Sequence, residues 1–431
     1  MQLTATQDAT ESTTPAPAQR SGRYRWAVVA MLWFVCFFNY ADRQAIFAVL
    51  PELQKEFGFD KAQQGLIASA FMWVYAGGAP LAGFICDRVQ RKSLILGGCF
   101  FWSLVTVLTG WCSKLWHFAT VRALEGLGET FYFPASMSLV SDYHGQATRS
   151  RAMAWHQSSV YVGTIGGSWL GAWLAVQYNW RVGFYLFGTA GMVLSVVLLM
   201  WLAEPRRGAM DDTVVEKATL REALADIFGR PTAVVLMLVF VGANFVAMIF
   251  LTWTPTFLVE KFGYQLAAAA LTGTIYINLA SAVTVPLAGG LADRWARTRP
   301  GGRMLPQAAG LLCGAAFVAL FGWTTDSTLL LVVMTAFGAC KGFYDAGIFA
   351  SLYDVIPARS RGTAAGLMNT VGWSGGALGP LLTGWYATHG PHGSDIANMS
   401  VFISWTSLVY VACGLVLLVA SLMQKPAAAR A

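Results

Sequence analysis

Charge-free apolar stretches alternate with short polar breaks along nearly the whole chain. The run from Trp26 to Ala41 carries no charge, and runs of similar length recur about a dozen times. Each is close to the roughly 20 residues that a helix needs to cross the hydrocarbon core of a bilayer. The pattern predicts helices over 26–49, 62–86, 93–112, 115–141, 151–178, 183–203, 232–259, 264–292, 304–325, 328–355, 361–387 and 398–423. In lipid every backbone amide must pair internally, and the alternating pattern of roughly ten-residue barrel strands is absent. The expected fold class is therefore an all-α integral membrane protein with twelve transmembrane helices.

Composition agrees: 56% of the 431 residues are hydrophobic and only 12% are charged. A net charge of +7 in a soluble protein would suggest nucleic acid as a partner, so the distribution of the basic residues decides the matter. Of the 29 Lys and Arg, 21 fall in the termini and the even-to-odd loops, five in the opposite loops, and three (Arg43, Arg122 and Lys341) inside helices. Membrane topology explains that bias, nucleic acid does not, and the positive-inside rule puts both termini in the cytoplasm, as for a multi-pass protein of a bacterial inner membrane. The seven cysteines are scattered through predicted helices with no CxxC pair or His cluster, and read as small apolar packing residues. The first 22 residues lack the apolar core of a signal peptide.

The longest internal polar stretch, Glu204 to Pro231, is the natural linker, and its middle, Leu220 to Phe228, has the pattern of a short amphipathic helix on the membrane face. This divides the chain into a disordered tail (1–25), a six-helix half (26–203), the linker (204–231), a second six-helix half (232–423) and a short tail (424–431). Self-comparison supports the division. Pro80-Leu-Ala-Gly83-Phe-Ile-Cys-Asp87-Arg88 matches Pro286-Leu-Ala-Gly289-Gly-Leu-Ala-Asp293-Arg294 at an offset of 206 residues, each copy ending the second helix of its half. A weaker match pairs Asp142 and Arg149-Ser-Arg151 with Asp354 and Arg359-Ser-Arg361, at an offset of 212 for the aspartates and 210 for the Arg-Ser-Arg runs. Two pseudo-repeats in parallel follow. An Asp at a helix end followed by Arg88, Arg91 and Lys92 suits a gating loop whose ion pairs hold in one conformation and release in another; a static charge cluster that sets topology is the alternative.

Ionisable side chains within a membrane helix are costly and mark function by default. Seven stand out: Asp42 and Arg43 in the first helix, Arg122, Glu125 and Glu129 in the fourth, Lys341 and Asp345 in the tenth. At about 100° per residue, positions 122 and 129 fall within about 20° of each other, which puts Arg122 and Glu129 on one face. Burial and a neighbouring guanidinium act in opposite senses on Glu129, so an anion arriving at Arg43 or Arg122 would change its proton affinity. Glu129 and Asp42 are thus the candidate proton carriers, and an interior salt-bridge network that merely orients helices is the alternative. Lys341 falls near the position equivalent to Glu129 and is also an i, i+4 partner of Asp345. Gln157, Asn244, Tyr276, Asn278, Asn369 and Trp373 are further polar or aromatic candidates for a cavity lining.

The pattern Gly83-x-x-x-Asp87-Arg88-x-x-Arg91-Lys92 resembles the signature loop of the major facilitator superfamily, over nearly the whole chain, with Gln90 where that family usually has glycine. Asn39-Tyr40-Ala41-Asp42-Arg43 with Arg122, Gly126-Leu-Gly128-Glu129 and Phe133-Pro134-Ala135 resembles its anion:cation symporter branch, the galactonate, hexuronate and glucarate carriers. That resemblance implies carboxylate binding at Arg43 and Arg122, protonation at Asp42 and Glu129, a cavity lined by Tyr40 and Tyr75, and a monomer. Arg91-Lys92, Gly97-Gly98 and Phe101-Trp-Ser-Leu-Val-Thr106 are similar to Spinster-type lipid transporters, which share the acidic and basic positions. His156-Gln157-Ser158-Ser159 departs from the sugar-acid carriers' fifth helix. The expected function is proton-coupled symport of a small organic anion by alternating access, with no cofactor beyond the proton; a lysolipid or amphiphile carrier, or a receptor that binds without translocating, is the alternative. HExxH, GxSxG and paired P-loop motifs are absent, which argues against an enzyme or an ATP-driven pump.

Overall fold

The computed structural model describes residues 22–86, 88–145, 148–205 and 219–424. The first half consists of α1 (Gly22–Phe57), α2 (Lys61–Cys86), α3 (Arg91–Thr109), α4 (Leu115–Glu129), α5 (Tyr132–Tyr143), α6 (Arg149–Gln177) and α7 (Trp180–Trp201). The linker carries α8 (Leu220–Phe228). The second half consists of α9 (Pro231–Phe262), α10 (Leu266–Thr298), α11 (Met304–Trp323), α12 (Ser327–Asp345), α13 (Ile348–Val355), α14 (Arg361–His389), α15 (Asp395–Trp405) and α16 (Ser407–Leu422). Twelve spans result, because α4–α5, α12–α13 and α15–α16 are each one span interrupted by a break.

The breaks correct the uninterrupted helices expected over 115–141, 328–355 and 398–423. In the fourth span Pro134 has no N–H to offer the carbonyl of Thr130 four residues earlier, and the helix yields at Thr130–Phe131. In the tenth, Gly347 lies so close to Gln307 that a Cβ there would stand 2.5 Å from Gln307 Nε2. In the twelfth, Thr406 Oγ1 bonds back to the Ile403 carbonyl at 2.6 Å. α1 also runs eight residues past its expected end, through Pro51 to Phe57.

Nine of the described spans are long and apolar enough to cross a membrane on length and hydropathy. The other three are the broken fourth span, α6 and α14, whose polar and small residues turn inward: His156, Ser159, Thr164 and Ser168 of α6 are buried. Of these, α6 and α14 lie where the halves meet. Within the halves α1 packs on α6 as α9 packs on α14, and α3 on α7 as α11 on α16. Between the halves α2 packs on α14 and α10 on α6, the same relation twice, as a two-fold pseudo-repeat demands.

Twelve spans bring both ends of the chain to one side, here termed the terminal face. On the far face the halves touch closely. Lys61, fully buried, pairs with Glu260, Thr388 Oγ1 accepts from the Ala62 amide at 3.1 Å, and Ser69 Oγ donates to the Ala377 carbonyl at 2.8 Å. Toward the terminal face the same two helices part: Gly77 and Gly83 of α2, and Gly362 and Gly366 of α14, have open space where a side chain would begin. The bundle is closed at its far end and open at its terminal end.

The linker helix α8 starts in a capping box, Thr219 Oγ1 accepting from the Glu222 amide and the Glu222 carboxylate accepting from the Thr219 amide. Ala223 and Ile227 are buried while Leu220 and Phe228 stay exposed. Asp226 accepts from Arg359 Nε at 3.1 Å and Ser360 Oγ at 2.7 Å, which fastens α8 to the start of α14.

Candidate functional site

α1 continues without a break through Asn39-Tyr40-Ala41-Asp42-Arg43, so the adjacent side chains of Asp42 and Arg43 leave the helix about 100° apart. They enter different surroundings, both buried. Asp42 turns to α3, where Thr106 Oγ1 lies at 3.3 Å from its carboxylate while also donating to the Trp102 carbonyl at 2.9 Å. Arg43 turns to α4 and donates from Nε, at 3.1 Å, and from Nη2 to the same oxygen of Glu129. Asn39 Oδ1 lies 3.4 Å from Nη2.

Aromatic rings enclose the Arg43 guanidinium. Its Cζ lies 4.7 Å from the Tyr40 ring, 4.5 Å from Phe71, and 5.3 Å from both Tyr75 and Trp373. Three of those rings belong to the first half, and Trp373 comes from α14 in the second, its ring centroid 5.0 Å from that of Tyr75 with the planes tilted by 57°. Phe71 is shared, because Arg122 Cζ lies 4.9 Å from the same ring. A guanidinium over an aromatic face gains about 0.5–2 kcal/mol, more where water is excluded.

Arg122 does not pair with Glu129. It donates from Nη1 to Glu125 at 2.5 Å, three residues on along α4. Sharing a face does not make them partners: the i, i+3 carboxylate is nearer to Arg122, and Glu129, the last residue of α4, is taken by Arg43. Glu125 is thereby a member of the site, with 2% of its surface exposed. Three carboxylates (Asp42, Glu125, Glu129) and two guanidiniums (Arg43, Arg122) occupy one buried cluster, and a single proton makes it neutral. Arg43 Nη1, Arg122 Nε and Nη2, and one oxygen each of Asp42, Glu125 and Glu129 are buried without a protein hydrogen-bond partner among the described residues. Buried polar atoms are rarely left so.

The remaining expected cavity residues separate. Tyr40, Tyr75 and Trp373 form the cage. Lys341 pairs with Asp345, each side chain about a third exposed, with Tyr161 of α6 close enough to feel both charges. Asn244 and Asn278 spend their amide donors on carbonyls of their own helices, Phe240 at 2.9 Å and Thr274 at 2.7 Å. Gln157, Tyr276 and Asn369 share no hydrogen bond or ring contact with Arg43 or Glu129.

At the terminal face Asp87 lies outside the described residues. Gly83 is near the end of α2, and Arg88 and Arg294 are exposed. Arg91 is buried; it pairs with Asp142, donates to Ser138 Oγ at 3.0 Å and to Glu204 at 2.9 Å, while the Lys92 amide donates to Glu204 at 2.7 Å. In the second half Arg303 pairs with Asp293 and, at 2.9 Å, with Asp354. Arg303 stands 212 positions after Arg91, and Asp354 stands 212 after Asp142, so the repeat preserves an ion pair and not only a motif. Arg149 donates to the Ser141 carbonyl at 3.3 Å and Arg361 to that of Tyr353 at 3.0 Å, again 212 apart at both ends. The second signature loop, which looks degenerate after Arg294, keeps its arginine six residues later than the first loop does; Gly289 has open space beside it.

The profile of the Major Facilitator Superfamily matches residues 32–380 and 302–428. This chain belongs to that superfamily. A probable galactarate/D-glucarate transporter of Bacillus subtilis (strain 168) is 27% identical over 398 residues, covering 86% of this chain and 87% of the relative. Protein spinster homolog 1 of Xenopus laevis is 28% identical over 382 residues, covering 83% and 72%. Among solved structures, a bacterial homologue of the human lysosomal transporter Spinster, in an inward-facing and unoccupied conformation, superposes with a TM-score of 0.83 at 21% identity, over 94% of this chain and all of the other. The chain is a multi-pass membrane transporter of the Major Facilitator Superfamily and not an enzyme. Phe71 and Lys61 are the site and interface residues that sequence reasoning passed over; Glu125, which it named among the ionisable helix residues without a role, joins the cluster through Arg122.

Proposed function

We propose that this protein couples uptake of a small organic anion, a sugar acid or related carboxylate, to the entry of a proton. The observation that carries the reading is the buried Arg43–Glu129 pair at the junction of the halves. A substrate carboxylate that binds Arg43 competes with Glu129 for the same donors, and Glu129 can give them up without leaving a second buried anion only by taking a proton. Substrate and proton therefore load together. Arg122, whose Nε and Nη2 have no protein acceptor among the described residues, is positioned to take the second oxygen of the carboxylate or a neighbouring hydroxyl. Asp42, paired with neither arginine, is the reserve acceptor for the cluster's proton.

The terminal face, rich in Lys and Arg, is the cytoplasmic face in this reading, so the conformation is inward-open. Alternating access then requires the far-face contacts of Lys61, Ser69 and Ser168 to break as the terminal ends of α2 and α14 close. The relative from Bacillus subtilis, a probable galactarate/D-glucarate transporter, supports the substrate class. Uptake into proteoliposomes, with sugar acids offered under an imposed inward proton gradient, tests the proposal. Gradient-dependent accumulation is expected; uptake indifferent to the gradient, or displaced by lysolipids but not by sugar acids, overturns it, the second result favouring an amphiphile carrier.

A further inference from the structure

The two halves differ at the terminal face in one constructed feature. The first signature loop has two residues between Arg88 and its buried partner-seeking Arg91; the second has eight between Arg294 and Arg303. The insertion supplies Arg297, Arg299 and the turn Pro300-Gly301-Gly302, and it closes a cup of about 550 Å³ between the ends of α10, α13 and α16. Gly301, at φ +70°, makes the turn possible, and its carbonyl accepts from Ser421 Oγ at 2.8 Å, fixing the loop to α16. Arg303 in the cup is matched by Asp293 and Asp354. Arg297 and Arg299 have no ion-pair partner among the described residues, so the cup is cationic, with three guanidiniums against two carboxylates.

A second cavity, of about 520 Å³, adjoins it between the start of α9 and the end of α16. Its walls are apolar: Val235, Leu415, Val416 and Val419 line it, and Leu415, Val416 and Val419 each expose about half of their surface. Gln424 lines both cavities and donates to Thr232 Oγ1 at 2.5 Å, spanning α16 and α9 at the rim between them. A polar, cationic cup thus opens at the membrane surface directly beside an apolar groove that runs down the outside of the bundle. Neither a soluble anion nor a neutral lipid accounts for both parts.

We propose that this paired cavity binds an anionic phospholipid of the leaflet at the terminal face, its phosphate held by Arg297 and Arg299 and an acyl chain laid in the α9–α16 groove. Basic pockets between membrane helices on the side facing an anionic leaflet suit such headgroups. The site lies wholly in the second half, apart from the Arg43–Glu129 cluster, and stands whether or not that cluster couples protons.

Native mass spectrometry of the intact protein, released from mixed micelles of phosphatidylglycerol and phosphatidylcholine, tests it. Retention of phosphatidylglycerol over phosphatidylcholine is expected in the natural protein. With about 1 kcal/mol per arginine near the surface, Arg297→Ala with Arg299→Ala together lower that retention about 30-fold. Val419→Trp, which fills the groove and leaves the cup, lowers it as well while sparing binding of glycerol 3-phosphate. Equal retention of the two lipids, or unchanged retention in the arginine double variant, overturns the proposal. Glycerol 3-phosphate competing as well as the whole lipid would make this a soluble-phosphate site and overturn it too. Because Arg297 and Val419 are exposed and Arg299 is half-buried with no ion-pair partner among the described residues, circular dichroism identical to that of the natural protein is expected; if the double variant unfolds, Val419→Trp with the same readout decides.

Discussion

Arg43 of α1 directs two of its donors at a single oxygen of Glu129 on α4, and leaves its remaining nitrogen, Nη1, and the other Glu129 oxygen without partners among the described residues. A pair satisfied on both sides would be a structural strut. This one is half-open on each side, inside a cage that includes a ring from the opposite half. Trp373 thus sets a ring of the second half against the pair.

Glu129→Gln keeps an acceptor for Arg43 but cannot release a proton. Uptake driven by a pH gradient is expected to vanish, while exchange of labelled for unlabelled substrate across the same membrane persists. Asp42→Asn, which touches Thr106 and no arginine, is expected to slow transport and leave its gradient dependence. If Glu129→Gln still accumulates substrate against a gradient, coupling resides elsewhere.

Arg43→Lys retains the charge and loses the planar fork that engages Glu129, along with much of the stacking on Tyr40 and Phe71. Loss of one charge-assisted hydrogen bond costs about 1.5–3 kcal/mol, or about 10- to 150-fold in Kd. Substrate titration followed by tryptophan fluorescence, with Trp373→Phe as the control for the reporting ring, measures it. An unaltered Kd would remove Arg43 from the binding site.

Gly65 of α2 faces the backbone of α14 so closely that a Cβ would lie 2.6 Å from the Pro380 carbonyl oxygen. Backbone cannot swing aside as a side chain can, so Gly65→Val is expected to prise the far face apart and favour the conformation closed at the terminal face. Spin labels at Lys55 and His392, exposed positions on the far face of the two halves, report it in pulsed dipolar spectroscopy as a shift to longer distances. An unchanged distribution would mean that the far-face contact is not the one that opens.

Much of this architecture was legible because it rests on local signals. Apolar run length gives the spans, Pro-Leu-Ala-Gly with its Asp-Arg end gives the repeat, and the amphipathic spacing of Leu220 to Phe228 gives α8. What escaped depends on which groups meet through space. Lys61 and Glu260 are 199 residues apart and have no shared motif. Phe71 reads as one more apolar position, although it lies between two guanidiniums. Helix geometry put Arg122 and Glu129 on one face correctly as an angle, but the pairing is decided by Arg43 arriving from another helix and by Glu125 being closer. The arginine of the second loop was hidden by a six-residue insertion that only the conserved Arg303–Asp354 contact reveals.

At the terminal face, hydrogen bonds from Arg359 and Ser360 hold the Asp226 carboxyl down to about 2, below its ordinary 3.8. A depressed carboxylate contributes stability that is complete above the ordinary value and is lost as pH falls through the lowered one. The attachment of α8 to α14 is therefore expected to hold without change from neutral pH down to about 4, and to loosen only between about 4 and 2. Hydrogen exchange of the α8 amides follows this directly. Asp226→Asn is expected to show the loosened pattern already at neutral pH, and protection equal to that of the natural protein would deny the latch.

The repeated ion pairs provide a comparison within one molecule. Arg91 and Asp142 are 1% and 6% exposed in their side chains, whereas Arg303 and Asp354 are 22% and 52% exposed. Removing one partner of a buried pair strands the other away from water and costs about 3 kcal/mol or more, whereas an exposed pair is worth about 0–1 kcal/mol. Each arginine also keeps a second carboxylate, Glu204 for Arg91 and Asp293 for Arg303. Asp142→Ala is thus expected to lower the melting temperature of the purified transporter well beyond Asp354→Ala, even though the two aspartates occupy equivalent places in the repeat. The difference has a consequence for motion. In the proposed alternating-access cycle, a strongly held terminal end would keep α3, α5 and the end of α7 as one body, and the weakly held second copy would let its loop yield. Equal losses from the two substitutions would show that burial does not distinguish the copies, and that the halves are equally stiff where they must move.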